Sequence, residues 1–571
     1  MPDQNLHEQQ SIERDNCTNL IVQSTAKNKI IVAGPGTGKT TTFRKLLETK
    51  NGDKLALTFI NSLAFDLQKG LGELAESYTF HGYCKKLLHK ISVEGIDTNF
   101  HYYPKLPILI KTDADLIEID LDKFDEAFQT LTEDDRIGFY LERGDYYNAV
   151  SHNDAVYRVL KHFQSGSASL PSFSQVVVDE YQDFNSLEIA FIDELVKSSP
   201  VLIAGDDDQA IYNFKNASPY HIRAKSSHPD FEKFELPYCS RCPQVIVDAV
   251  HDIISKAKTI SKLQERIEKR YLCFLPDKEA DSLAHPKIIH ASCSIHTKSA
   301  PYISKFIERE IAKIPQTEID LAREKDYPCV LIAGPSHYTK QVYEYLKTRY
   351  TNIDYPEAQN KDIAILEGYK ILMHDQMANL GWRIILECSS LRQKADIIKA
   401  TRESKQRLAD ALDDSFKNEH LEIVALLIKI KAGEVITETE TNAIVQKCGQ
   451  TIDQVKKFLN IDPEDENQGE KVEDTSVSIK MTTINGSKGM SANYVFLIGM
   501  NNGEFPKSAP NPTDNEICQL IVGLTRTRKK CYLISNARFG IAYGKSKSVF
   551  IDWINPEKID RITANAVFFR S

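Results

Sequence analysis

The chain has 571 residues, and at about 100–200 residues per domain this requires about three to five domains and more than one hydrophobic core. Hydrophobic residues make up 42% and charged residues 26%, a globular balance that excludes a disordered, collagenous or coiled-coil chain. The formal charge of -9 excludes a uniformly basic nucleic-acid binder, but not a local basic groove.

The N-terminus, MPDQNLHEQQSIERDNC, lacks the basic start and apolar run of a secretory signal. No stretch approaches the ~18 uninterrupted apolar residues of a membrane span. A cytoplasmic protein without a membrane partner is expected. Eleven cysteines, an odd number spread over the whole chain, fit reduced thiols better than a disulfide framework. The one C-x-x-C, Cys239/Cys242, has no second pair at zinc-site spacing and reads as two ordinary thiols.

Short β-branched runs recur along the chain, each followed by turn residues and helical pattern: 29–33 (KIIVA), 54–59 (KLALTF), 175–180 (QVVVDE), 201–206 (VLIAGD), 329–334 (CVLIAG), 494–500 (YVFLIGM) and 531–537 (CYLISNA). Strands alternating with helices imply parallel sheets covered on both faces. Four runs precede residue 210 and three follow 328, which divides them between two α/β domains. Residues 83–170 and about 350–471 lack such runs and show apolar residues at 3–4 spacing, the pattern of mostly helical insertions. The polar, acidic segment 461–474 reads as a solvated linker back into the second domain.

The first chemical motif follows the strand at 29–33. Gly34, Pro35, Gly36, Thr37, Gly38, Lys39, Thr40 and Thr41 lead straight into a helical pattern, the strand–loop–helix context of a P-loop, with Ala33 where Gly is usual. Such a loop turns backbone N–H groups toward phosphate oxygens, with Lys39 reaching the β/γ-phosphates and Thr40 ligating Mg²⁺. Asp179 and Glu180 end the strand at 175–180. An acidic pair there suits one carboxylate, Asp179, to the metal and the next, Glu180, to orienting and deprotonating water.

At 205–212 the next strand ends in GDDDQAIY. Together, AGPGTGKT, DEYQD and GDDDQAIY resemble motifs I, II and III of superfamily 1 helicases of the UvrD/Rep type. Further matches follow in order. LTFINSLA (57–64) is similar to motif Ia through Phe59 and Asn61, and TFHGYC (79–84) to motif Ib through His81. LPYCSRC (236–242) resembles motif IV, 482–499 motif V around Lys488, and VGLTRTRKK (522–530) motif VI.

The resemblance implies an α/β fold of two RecA-like P-loop domains with parallel sheets, each interrupted by a mostly helical insertion. Their expected extents are 1–82 with 171–265, and 266–349 with 472–571, carrying insertions at 83–170 and 350–471. It also implies ATP between the two domains, Gln209 sensing the γ-phosphate and attacking water, and Arg241 and Arg526 supplying positive charge to the transition state. A glutamine reading adenine is expected near the N-terminus, as Gln9 or Gln10, with Gln9 preferred. The aromatic that stacks on the base in the family corresponds to Ser240, two residues after Tyr238, and the ribose-contacting glutamate to Ser491. These departures imply intact triphosphate chemistry with relaxed base or sugar selection, ATP remaining the favoured nucleotide.

For nucleic acid the family pattern points to Phe59, Asn61, His81, Tyr212, Phe214, Lys215, Lys488 and Tyr543, with Phe214 where Trp is usual and Lys215 where Arg is usual. The implied function is ATP-dependent 3′→5′ translocation on single-stranded DNA with unwinding of 3′-tailed duplex. The family's nuclease pattern does not follow motif VI, so no cutting is expected of this chain. An alternative stays open: a DNA-sensing ATPase subunit gating a separate nuclease subunit, as in compact UvrD-like members of Gabija-type anti-phage systems.

Charge is unevenly placed. Residues 113–126 and 462–474 each hold seven acids and one lysine, whereas 517–551 holds seven bases and no acid. Acidity thus belongs to the first insertion and the linker, and the end of the motor is basic.

Overall fold

The computed structural model describes residues 4–570 apart from 60, 94–99, 133, 294–301, 357–361, 460–475 and 538–543. Two parallel sheets organise it. Edge to edge, the first runs Glu76–Thr79, Lys54–Thr58, Gln175–Val178, Val201–Gly205, Asn28–Val32 and Phe231–Glu235. The second runs Ile353–Asp354, Ile479–Thr482, Val330–Ala333, Ala492–Ile498, Thr527–Asn536, Ile288–Cys293 and Ile559–Ala564. Every pairing in both sheets is parallel.

The inner strands are buried on both faces, which is why they read as unbroken apolar runs. In the first sheet Ile31, Ala56, Val177 and Leu202 turn to one face, where the helices Lys39–Glu48 and Asn61–Leu71 supply Phe43, Leu46, Leu67 and Leu71. The second sheet alternates in the same way. Leu331, Val495, Leu497 and Leu533 join one core, while Val330, Ile332, Phe496 and Ile534 join another with Phe306, Tyr338 and Val342. The helix Gln244–Thr259 contributes Val245, Ile246, Val250 and Ile253 to the former core. It therefore shares the core that holds Leu331, Val495, Leu497 and Leu533.

Contacts divide the chain into two compact bodies. The first comprises 1–80, 170–357 and 474–571 and carries both sheets; the second comprises 81–169 and 358–473. The second is helical, and both of its segments share one core: Leu116, Ile117 and Tyr146 pack against the cluster of Leu366, Trp382, Ile385, Leu412 and Leu427.

A buried ionic group joins these same segments. Arg143 donates from Nε and Nη2 to Asp113 Oδ2 at 3.0 Å, and Arg383 Nε donates to Asp113 Oδ1 at 2.6 Å. Tyr147 adds its hydroxyl to Asp113, and Glu387 accepts from Arg383 Nη1 at 2.8 Å. Asp113 and Arg383 are fully buried and Arg143 is 1% exposed, so removing the carboxylate leaves Arg143 buried without an anion and Arg383 with Glu387 alone. Asp113→Ala is expected to destabilise this body by about 3–5 kcal/mol. Urea unfolding followed by Trp382 fluorescence in a Trp553→Phe background measures it, since Trp382 is buried here and the chain has no other tryptophan.

Among the described residues no helix is long and apolar enough to cross a membrane.

Candidate active site and nucleic-acid surface

The strand Asn28–Val32 delivers the turn 33–38 to the start of the helix Lys39–Glu48. Gly38 adopts φ 92°, a left-handed conformation that side chains other than glycine's rarely take. Gly36, at φ 73°, also lies so close to its neighbour that a Cβ there would come 2.5 Å from Arg241 Cβ. The loop is tied by Thr37 Oγ1 donating to Gly34 O at 2.9 Å and Ser240 N donating to Gly36 O at 3.0 Å. It borders a cavity of about 330 Å³. Lys39, Thr40, Thr41, Asp179, Glu180, Gln209, Arg241 and Arg526 share its wall with Pro35, Gly36, Thr37 and Gly38. The structure thus brings together almost the whole set of residues that the sequence assigned to triphosphate chemistry, from five separate stretches of chain.

Asp179 and Glu180 follow the strand Gln175–Val178, and Glu180 sits at φ 55°, a costly conformation for a side-chain-bearing residue. Its backbone N–H donates to Asp179 Oδ1 at 2.9 Å, and Gln182 Nε2 donates to its Oε2 at 2.6 Å. Burial pushes the Glu180 carboxyl up, but Lys488 and Lys39 outweigh that and hold it well below the usual range. Asp179 moves the other way, raised by burial and by the charge of Glu180. Glu180 is therefore ionised, the form a proton acceptor needs.

Gln209 is fixed from both sheets. Its Nε2 donates to Asp206 Oδ2 at 2.8 Å, while Arg526 Nη2 donates to its Oε1 at 3.0 Å. Arg526 is 2% exposed and also donates to Val522 O at 2.8 Å and Met490 O at 3.3 Å. Burial, with Arg241 nearby, lowers its pKa to about 10, leaving it charged at neutral pH. Arg241 Nη1 lies 3.5 Å from Thr525 O.

Asp206, Asp207 and Asp208 are the one acidic cluster among the described residues whose carboxylates gather at metal-binding distances. Its charge is already met by protein: Lys269 Nζ stands 2.8 Å from a carboxylate oxygen of each. Arg266 pairs with Asp208 and Arg223 with Asp207. This is a structural clamp, and the spacing of Lys269 from the motif gave the sequence no signal for it.

Lys488 is placed differently from its expected nucleic-acid role. It is 2% exposed and lies 2.6 Å from Asp183 Oδ2, 2.6 Å from Gln209 O and 3.5 Å from Glu180 Oε2. A buried lysine between two carboxylates satisfies those charges, and its Nζ also stands 5.5 Å over the Tyr212 ring.

The aromatic candidates do gather. Phe59 and Tyr212 lie with ring centroids 5.3 Å apart, and Tyr212 and Phe214 5.7 Å apart. Lys215 Nζ stands 4.7 Å over Phe59. Phe214 is 67% exposed while Phe59 is 9% exposed, so Phe214 is the presented ring and Phe59 its support. Asn61 opens the helix Asn61–Leu71. His81 belongs to the helical body, edge-on to His152 at 5.2 Å. Tyr543 lies outside the described residues.

Of the two adenine-reader candidates, Gln9 is exposed and donates to Asn5 Oδ1 on its own helix, and Gln10 accepts from Leu275 N at 2.9 Å. Ser240 accepts from Arg14 Nη1 at 3.2 Å, and the Arg14 guanidinium lies 3.8 Å over the Phe274 ring. Ser491 accepts from Arg528 Nε at 2.9 Å.

Two family descriptions match the chain: the UvrD/REP helicase N-terminal domain over residues 15–143 and 135–230, and the UvrD-like helicase C-terminal domain over 251–538. A probable DNA helicase II homolog of Mycoplasma genitalium is 24% identical, covering 94% of this chain and 87% of that protein. The ATP-dependent DNA helicase PcrA of Leuconostoc citreum is 22% identical over 94% of this chain and 84% of its own length. UvrD1 of Mycobacterium tuberculosis, an ATP-dependent DNA helicase, is 27% identical over 40% of this chain and 37% of its own length.

Proposed function

Because the chain belongs to the UvrD/Rep helicase family, we propose that it is an ATP-dependent DNA helicase that moves 3′→5′ on single-stranded DNA and opens 3′-tailed duplexes. The observation that carries the reading is the pair of cations crossing from the second sheet. Arg526 meets Gln209 in the cavity whose floor is the phosphate-type loop of the first, and Lys488 meets Glu180 of its wall together with Asp183. Binding and release in that cavity change the spacing of the two sheets, which is how such a site does mechanical work.

In this reading Lys39 and the loop N–H groups hold the triphosphate, and Gln209 places the attacking water. Glu180 takes its proton, and Arg241 and Arg526 meet the charge developing on the transferred phosphoryl group. Thr40 and Asp179 offer a hydroxyl and a buried carboxylate, hard oxygen donors that fit Mg²⁺, which when bound neutralises phosphate charge. Ser240 and Ser491, each engaged with an arginine, stand where the family carries base- and sugar-contacting groups. GTP and dATP are accordingly expected as substrates beside ATP.

The deciding experiment measures ATP hydrolysis with and without single-stranded DNA, and unwinding of 3′-tailed against 5′-tailed duplex. DNA-stimulated hydrolysis with unwinding of the 3′-tailed substrate supports the proposal; stimulation by neither strand, or selective opening of the 5′-tailed substrate, overturns it. The presented ring gives a second test. Stacking on an aromatic side chain is worth about 1–3 kcal/mol per base, so Phe214→Ala is expected to weaken single-strand binding by about 5- to 150-fold. Fluorescence anisotropy with a labelled oligonucleotide reads it, and hydrolysis without DNA is unchanged.

A further inference from the structure

We propose that Cys239 and Cys242 form an oxidisable pair, closed by hydroperoxides into a disulfide that stops turnover by displacing the arginine between them. The readout in turnover rests on the ATPase reading above; the disulfide itself does not.

The pair is built into the wall of the cleft. Cys239 ends the short strand Tyr238–Cys239, and the chain then turns so that Cys242 N donates to Cys239 Sγ at 3.4 Å. The Tyr271 hydroxyl lies 3.2 Å from Cys239 Sγ, 3.8 Å from Cys242 Sγ and 3.2 Å from Pro35 O, so one side chain links both sulfurs to the phosphate-binding loop. A Cβ on Gly36 would stand 3.2 Å from Cys239 Sγ, and Gly36 borders the cavity. Both sulfurs are fully buried, Cys239 directly behind the side-chain-free stretch of wall at Gly36, so an oxidant is expected to reach it through that wall and a bound triphosphate to block the way. Cys273 Sγ donates to Cys242 O, but among the described residues these cysteines do not gather with a third ligand at metal-binding distances.

The two thiols differ in character. Burial raises both, but hydrogen bonds from Cys242 and Tyr271 overcome it at Cys239 and hold that thiol below the ordinary range, whereas Cys242 stays far above it. Cys239 is the attacking thiolate and Cys242 the resolving thiol. The thiolate displaces hydroxide from the peroxide O–O bond and becomes a sulfenic acid. Cys242 sulfur then displaces water from it, forming the S–S bond. Two thiols lose two electrons and two protons, and one hydrogen peroxide becomes two waters.

The consequence falls on Arg241. The Cys242 thiol donates to Thr525 O at 3.5 Å, the same carbonyl that Arg241 Nη1 approaches at 3.5 Å from the opposite sheet. Oxidation removes that thiol proton and closes a ring through Ser240 and Arg241, so the guanidinium leaves its place over the loop. Misplacing a positioned group by about 1 Å costs about 10²-fold in rate.

The test uses full-length protein carrying Cys17→Ser, Cys388→Ser and Cys448→Ser, which removes the less buried cysteines. Hydrogen peroxide is expected to lower kcat by about 10²-fold, with a mass loss of about 2 Da in the peptide spanning Cys239–Cys242. Dithiothreitol restores both, and excess ADP slows the reaction. Cys239→Ser, folded by circular dichroism, keeps its turnover under peroxide. Cys242→Ser accumulates a dimedone-reactive sulfenic acid at Cys239. Failure of the disulfide to form, its formation with turnover unchanged, or equal sensitivity of the Cys239→Ser protein overturns the proposal. A protein that hydrolyses no ATP before peroxide overturns the ATPase reading instead, and peptide mass still decides whether the pair closes.

Discussion

Lys39→Ala abolishes DNA-stimulated ATP hydrolysis, with an expected fall of about 10³-fold in kcat, the scale on which removal of a preorganised charge acts at a phosphoryl-transfer site. Lys39 opens the helix Lys39–Glu48 with 9% exposure and borders the cavity. Its alkyl stem contributes little to the core, and alanine is a better helix former, so the fold should survive. The measurement is steady-state hydrolysis with saturating single-stranded DNA, alongside thermal unfolding. Unwinding falls in parallel, whereas single-strand binding without nucleotide is unchanged. Hydrolysis within tenfold of the parent would place the phosphates elsewhere.

Arg526→Ala is expected to cost about 10³–10⁵-fold in kcat, the range measured for arginines that meet transition-state charge. Here the effect is compounded, because Arg526 also holds the carboxamide of Gln209, the residue proposed to orient water. Since those contacts tighten as charge develops, kcat should fall far more than KM changes. The alanine leaves Val522 O and Met490 O without this donor, so Arg526→Lys is the control for folding. Lysine keeps the charge but cannot reproduce the planar fork, and should recover stability without recovering rate. Single-turnover hydrolysis separates the chemical step from product release. A variant with normal kcat and raised KM would assign Arg526 to ground-state binding.

The legible part of the fold was its doubly covered interior. Strands such as Val201–Gly205 and Ala492–Ile498 are buried on both faces and announce themselves as apolar runs. Phe231–Glu235 did not, because as an edge strand it carries three charged residues among five and buries only part of its length. Ile288–Cys293 is an inner strand that was hidden by its own polar residue. His290 sits in the sheet with burial holding its pKa near 4, and its Nε2 pairs with Ser535 Oγ at 2.8 Å. Such a neutral, hydrogen-bonded histidine breaks an apolar pattern without breaking a strand.

At the site, the residues fixed by local geometry were readable: a loop between strand and helix, or carboxylates at a strand end, carries its own spacing. The surroundings of Lys488 were not readable because they are set by the meeting of two sheets, and no local pattern distinguishes a lysine that pairs with Asp183 from one that faces solvent. The same holds for Tyr271 and Lys269, whose partners lie in motifs tens to hundreds of residues earlier.

The carboxylate of Asp113 imposes an order on synthesis. Its second guanidinium, from Arg383, lies 270 residues later. At about 5–20 residues per second the ribosome delivers that partner roughly 15–55 s after Asp113 itself. For that interval residues 81–169 have emerged without the surface that completes their core. A nascent chain arrested before residue 383 should therefore expose the face around Leu116 and Tyr146 to chaperones and proteases, and the helical body becomes protected only once its second segment arrives.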